Sequence, residues 1–388
     1  MLSIAALAGE AAWGLASEVV RLGDGSWIAV QLDAPAYHAG QVLSGKVIAA
    51  INSPVVCDDV SVVVQLEEAT YWDAETSRTV WEDAPAGHAG HAAHNSHAPG
   101  QAPPPRVSRV VWEHAARQYR GTLFREVVRV AALTSVLPPG MWQWPFSYAI
   151  PPGAPGVVKF RRSEEAGDPA WRAMGRRKET RAEVSFSIAA VLQCRGVFSS
   201  QLRSSQEIVV NPFFDWSKMA PARASTAGAV VVCCCFNKGP VLLNSTCDKS
   251  AYQAGEVVQV SANIQNDSTY AFRRMTSKLI RTIVISDGAG GAHRIVDRIC
   301  AASYEGVPAK SAVVREMPLT LESPSGFLPS IQAPHVQVQY TFVCECDVPY
   351  APDISCSMPM TIYQPAPAVS SFAAAFGGAV PANAQAFV

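Results

Sequence analysis

What the chain lacks narrows it first. Its longest nearly apolar run, Ala227 to Phe236, covers about half of the ~20 residues that a membrane-spanning helix needs. Neither sign of charge dominates: 31 Lys and Arg stand against 32 Asp and Glu, a formal net charge of −1, so no global field exists to hold a polyanion and nucleic acid is not an expected partner. Charged residues are scarce at 16% while hydrophobic ones reach 49%, enough apolar surface to offset the entropy of ordering most of the chain. Recognisable catalytic motifs are missing as well. No G-x-S-x-G, H-E-x-x-H, G-x-x-x-x-G-K-[ST] or G-x-G-x-x-G occurs, and Gly288-Ala289-Gly290-Gly291 reads as a hairpin turn. The expectation is a protein without enzymatic activity and without a cofactor. The opening stretch MLSIAALAGEAAWGLA has no basic residue ahead of its apolar run and is broken by Glu10, which argues against a secretion signal. Ten cysteines are scattered along the chain, three of them consecutive, so reduced cytoplasmic thiols are expected rather than a disulfide framework.

What is present is strand signal. Short β-branched or alternating runs are broken every ~10 residues by Gly, Pro, Asn or Asp, the spacing of antiparallel sandwiches. Seven such runs fall in the first half: SWIAVQLD, VLSGKVIAAI, CDDVSVVVQLEEATYW, LFREVVRVAAL, WQWPFSYAI, AEVSFSIAAVLQCR and QEIVV. The second half has VLLNSTCD, EVVQVSANIQN, MTSKLIRTIVIS, HRIVDRICAASY, AVVREMPLTL, VQVQYTFVCEC and SCSMPMTIY. At 388 residues, two domains of ~150 residues are expected. We read an N-terminal extension over 1–20, a β-sandwich over 21–211 carrying a flexible His- and Pro-rich insertion at 87–105, a connector at 212–235, a second sandwich over 236–366 and a disordered tail at 367–388.

Four groups of residues have chemical potential. His88, His91, His94 and His97 recur every third residue and have the imidazoles of a weak metal chelator, but the surrounding Ala and Gly offer nothing to orient the rings, so a solvated loop is the expected reading. Cys233, Cys234 and Cys235 are either a lipidation site or part of a buried strand. Cys344 and Cys346 share one face of a strand by period two, which suits packing better than tetrahedral zinc. Arg161, Arg162, Arg176, Arg177, Lys178 and Arg181 gather in a basic stretch and are the best local candidates for an anion site, with a solvated polar loop as the competing reading.

One pattern occurs twice. Leu32-Asp33, Tyr37-His38-Ala39-Gly40-Gln41-Val42 and Gly45-Lys46-Val47 match Cys247-Asp248-Lys249 and Tyr252-Gln253-Ala254-Gly255-Glu256-Val257-Val258: a strand, a turn on a glycine, and a second strand, with the tyrosine expected to cap the core at that corner. On these residues the chain resembles the arrestin family, and its α-arrestin branch most. Further matches are Leu137 to Gly140 with Pro145-Phe146-Ser147-Tyr148 and Ile150-Pro151, Gly239-Pro240-Val241, Ile264 to Ser268, Pro329-Ser330-Ile331, Val336 to Phe342 and Pro359 to Ile362. The resemblance implies an all-β chain of two tandem seven-stranded immunoglobulin-like sandwiches, the arrestin fold. It also implies a cytoplasmic adaptor that binds proteins: membrane cargo or receptors on one side, trafficking or ubiquitin machinery on the other, with peripheral recruitment to the plasma membrane or endosomes. In that family positively charged surface on the N-terminal domain meets phosphorylated partner tails. No PPxY motif is present, which leaves ligase recruitment without its usual WW-domain ligand. A retromer-like subunit of a sorting coat is the alternative within the same fold, and a metal-binding protein acting through the histidine loop is the alternative outside it.

Overall fold

The computed structural model describes residues 18–20, 24–83, 106–133, 136–194, 201–232, 236–323 and 326–364. In chain order the first part holds β1 (Glu18–Val20), β2 (Trp27–Leu32), β3 (Ala36–His38), β4 (Val42–Ile51), β5 (Val55–Asp83), β6 (Arg106–Ala132), β7 (Val136–Leu137), β8 (Gly140–Ala149), β9 (Val158–Glu165), the short helix α1 (Pro169–Ala173), β10 (Arg177–Cys194) and β11 (Gln201–Asn211). The second part holds β12 (Ala222–Val232), β13 (Phe236–Cys247), β14 (Ala251–Tyr252), β15 (Val257–Val258), β16 (Val260–Asn266), β17 (Arg274–Ser286), β18 (Ala292–Glu305), β19 (Ser311–Glu316), β20 (Leu319–Thr320), β21 (Ile331–Gln332), β22 (Val336–Asp347) and β23 (Ile354–Ile362).

These strands make two sandwiches. In the first, a sheet ordered β1-β11-β10-β5-β6, with β3, β7 and β9 attached, faces β2-β4-β8. In the second, β14-β23-β22-β17-β18, with β21 attached, faces β12-β13-β16-β19. Alternation decides what lies between the layers. Val60, Val62, Val64 and Leu66 of β5 and Val184, Phe186, Ile188 and Leu192 of β10 are all buried, as are Leu43, Val47, Ala49 and Ile51 on the facing β4. Leu279, Ile283, Phe342 and Cys344 do the same against Leu243, Val260, Ala262 and Ile264 in the second sandwich. Each fully buried Val, Leu, Ile or Phe among them contributes about 1.5–3 kcal/mol.

The repeated pattern is a repeated structure. Tyr37 Oη accepts from the Ala34 amide at 3.1 Å and donates to the Ser44 carbonyl at 3.1 Å. Tyr252 Oη accepts from the Lys249 amide at 3.2 Å and donates to Asp248 Oδ1 at 2.5 Å. The residue that follows each turn glycine closes it in the same way: Gln41 accepts from the His38 amide and Glu256 from the Gln253 amide. Gly40 and Gly255 both have φ +85°, a conformation costly for any residue with a Cβ. At Gly45 a Cβ would collide with the Gln31 carbonyl of the neighbouring strand. Other matched motifs also hold loops in place. Asn266, fully buried, donates to the Tyr270 and Pro308 carbonyls and accepts from Ser268, while Ser330 pairs with Ile362 through both backbone and side chain.

Two stretches depart from the sequence reading. Residues 222–232, assigned to the connector, form β12 and pair with β13 from Ala222↔Cys247 onward. Their small residues hide the strand, because one neighbour's ladder and a covered inner face suffice to hold it. The basic stretch expected as a loop is instead the hairpin β9, α1 and β10, paired from Val158↔Val184 to Glu165↔Arg177. The histidines at 88, 91, 94 and 97, the cysteines at 233–235, the insertion and the tail lie outside the described residues; the strands flanking the insertion pair up to Asp83↔Arg106. Among the described residues no helix is long and apolar enough to cross a membrane, and no group of three His, Cys, Asp or Glu side chains is placed to hold a metal ion.

Candidate functional site: the joint between the sandwiches

Beyond Leu66 the inward face of β5 stops being apolar. Glu68, Thr70 and Trp72 occupy the next inward positions, and all three are buried, because one end of the second sandwich packs over them. Thr70 Oγ1 donates to the Ser286 carbonyl at 2.7 Å. Trp72 stacks on His293 with ring centroids 6.0 Å apart. Glu68, 0% exposed, accepts from the His335 amide at 2.7 Å and pairs with His335 Nδ1 at 3.0 Å. The imidazole is sandwiched further by Tyr119 of β6, at 3.7 Å between centroids. Next to it Arg117 meets Asp287, whose carboxylate accepts the Ala289 and Gly291 amides of the β17–β18 turn.

A second charged group lies alongside. Asp297 of β18 receives Arg281 of its own sandwich at 2.9 Å and Arg162 of the other at 2.6 Å. Arg281 is 6% exposed, its guanidinium lies over the Phe160 ring at 5.7 Å, and its Nε has no partner among the described residues. Burial pushes the Asp297 carboxyl up, but hydrogen bonds and charge from Arg281 and Arg162 outweigh it and hold the group below the ordinary aspartate value. Two guanidiniums thus share one carboxylate, and Arg162 also reaches Glu164. A cavity of about 390 Å³ opens here, lined by Phe160, Arg162, Arg281, Asp297 and Arg298. Arg298 is exposed and makes no ion pair among the described residues.

The six basic candidates do not form one cluster, because strand alternation sends them to opposite faces. Arg162 points into the joint. Lys178, on the same side, pairs with Glu75 at 3.5 Å. There Glu75, His114, Asp168 and Trp171 build a clamp in the outer half of the β5–β6 hairpin: His114 stacks on Trp171 at 3.7 Å and bonds Asp168, the N-cap of α1, at 2.9 Å. Arg176 lies over Trp171 at 5.1 Å. On the outer face Arg161 and Arg181 are direct cross-strand partners, Arg181 is held by Glu179 and lies near the Tyr71 ring, and Arg177 bonds Ser163. Arg161 is exposed and makes no ion pair among the described residues. Glu68, His335, Arg281 and Asp297 escaped the sequence reading. For Glu68 and Arg281 a signal was available: each is a charge at an inward register of an otherwise apolar strand.

Hydrogen bonds and charge tie the joint alongside an apolar core that is continuous through both sandwiches, with spare cationic groups at its rim. Comparison with known proteins agrees with the fold. The family model described as Arrestin (or S-antigen), C-terminal domain matches residues 237–367. The Arrestin domain-containing protein A of Dictyostelium discoideum is 21% identical over 263 residues, which cover 66% of this chain and 41% of that protein. The chain therefore spans about two fifths of the length of this curated relative.

Proposed function

Because the chain belongs to the arrestin family, on its α-arrestin branch, we propose that it is a non-enzymatic adaptor that binds membrane-protein cargo or receptors and couples them to intracellular trafficking. The partner segment that suits it is anionic, phosphorylated or rich in carboxylates. It engages the cationic rim of the joint, where Arg162 of β9 and Arg298 of β18 line the same cavity, with Arg161 on the opposite face of β9, and guanidiniums grip phosphate in bidentate fashion. One observation carries this reading: Asp297 is shared by two guanidiniums, so an incoming anion has a cation to bind without leaving Asp297 unpaired. Binding to Arg162 removes a tie between the sandwiches, and contact with cargo is thereby coupled to their relative position.

The test is proximity labelling from the intact protein in its own cells, compared with Arg161→Ala/Arg162→Ala and with the wider set Arg176→Ala/Arg177→Ala/Lys178→Ala. The reading expects labelled receptors or transporters with endosomal sorting factors, and loss of the receptors in the first variant. A fixed set of coat subunits, unchanged in both variants, would contradict it and indicate a structural subunit of a sorting coat.

A further inference from the structure

Seven cysteines are described, all free, and two pairs of them, Cys57 with Cys194 in the first sandwich and Cys344 with Cys356 in the second, are cross-strand partners. Cys57 lies near the start of β5 and Cys194 ends β10. They are direct cross-strand partners, beside an irregularity of the ladder between Gln193 and Cys194. Residues directly opposite in an antiparallel pair have Cα atoms ~4.5–5.5 Å apart, inside the ~4.4–6.8 Å that a disulfide bridges. Their side chains point to the same face, and the two sulfur atoms are 3.4 Å apart. From there the sulfurs need only rotate together to reach the ~2.05 Å of a covalent bond. We infer that Cys57 and Cys194 are a redox-responsive pair that closes to a disulfide across β5 and β10 when the chain meets a hydroperoxide.

The chemistry balances within the pair. One thiol gives up its proton and its thiolate attacks the peroxide oxygen, giving a sulfenic acid and an alkoxide that takes that proton and leaves as the alcohol, or as water from hydrogen peroxide itself. The other sulfur then displaces hydroxide from that sulfenic acid, its own proton leaving with it as water, and the S–S bond forms. Two electrons pass from the thiols to the peroxide. Burial pushes Cys57 up to about 12 and raises Cys194 as well, so both are held as thiols while the sheet end is closed.

Both residues are nearly sealed, at 2% and 3% exposure. In the closed sandwich the pair is protonated and out of reach, so reaction follows local opening of this sheet end, where the ladder is already irregular. Once formed, the bond joins residues 137 apart and fixes β5, the strand that carries Glu68 into the joint, to β10. Closing so long a loop restricts the unfolded chain strongly. This inference is independent of the adaptor reading.

The experiment treats the intact, reduced chain with hydrogen peroxide at neutral pH and maps its peptides without reduction. A peptide joining Cys57 to Cys194, two hydrogens lighter than the sum of its parts and released by dithiothreitol, is the expected result. The oxidised chain should also show a thermal midpoint raised by several degrees, a rise that dithiothreitol reverses and that Cys57→Ser and Cys194→Ser lack. Mapping of the wild type decides the matter even if a variant folds poorly. Free thiols at both positions after treatment, or separate over-oxidation of each, would overturn the inference. So would a bridge from either residue to a different cysteine, such as Cys344 or Cys356, which are themselves cross-strand partners.

Discussion

Both oxygens of the Glu68 carboxylate are held by one residue of the opposite sandwich: Oε1 accepts from the His335 amide at 2.7 Å and Oε2 faces its Nδ1 at 3.0 Å. A carboxylate with no solvent exposure loses its hydration, and this one recovers partners only when the sandwiches meet. Glu68→Ala leaves the His335 amide unpaired inside the joint and should cost about 1–3 kcal/mol, read by chemical denaturation. Glu68→Gln, which keeps the shape and one acceptor, should cost less. Equal stability of Glu68→Ala and the wild type would mean that the contact is not formed in solution.

Asp297 and Arg162 should show strong coupling. Asp297→Ala strands Arg281 as a buried, uncompensated cation and is expected to cost about 3–5 kcal/mol. Arg162→Ala removes the partly exposed partner and should cost about 1 kcal/mol, because Arg281 still neutralises Asp297. A double-mutant cycle on the two sites measures their interaction, and additivity within a few tenths of a kcal/mol would contradict the pairing.

His293 predicts an acid-sensitive component of stability. Burial against Trp72 lowers its proton affinity below the ordinary histidine value of 6.5. The unfolded chain therefore binds this proton at a higher pH than the folded chain does. Stability is fully present above about pH 6.5 and declines as pH falls through that value toward the depressed folded one. Thermal midpoints taken between pH 8 and 5.5 should fall for the wild type and fall less for His293→Phe.

The two tyrosine corners give an internal comparison. Tyr37→Phe and Tyr252→Phe each remove the acceptor of a backbone amide three residues earlier, at about 1–2 kcal/mol apiece. Tyr252→Phe should be the more damaging, because the hydroxyl it removes donates to a carboxylate at 2.5 Å whereas that of Tyr37 donates to a carbonyl at 3.1 Å, and a hydrogen bond to a charged acceptor is the stronger. Parallel urea titrations of the two variants check the order.

Most of this fold was legible in the sequence because its strands alternate and its corners repeat. The fourteen long runs fall on strands, and Tyr37 and Tyr252 lie where the repeat places them. The strand β12 was not legible, since Ala, Gly, Ser and Thr carry no inward-outward contrast. The joint was the least legible. Arg162 was found through its basic neighbourhood, but its partner Asp297 is 135 residues away and Glu68 meets His335 across 267, separations that no local pattern encodes. Strand alternation also divides basic residues that sequence places side by side, as with Arg161 and Arg162.

The most direct test of the central claim is hydrogen exchange of the intact chain with and without a multiply phosphorylated peptide, the unphosphorylated peptide serving as the control. The account predicts that the phosphopeptide alone speeds exchange on both sides of the joint, in the 66–72 segment of β5 and around His335, and that Arg162→Ala abolishes the effect. Unchanged exchange at the joint despite saturating binding elsewhere would contradict it.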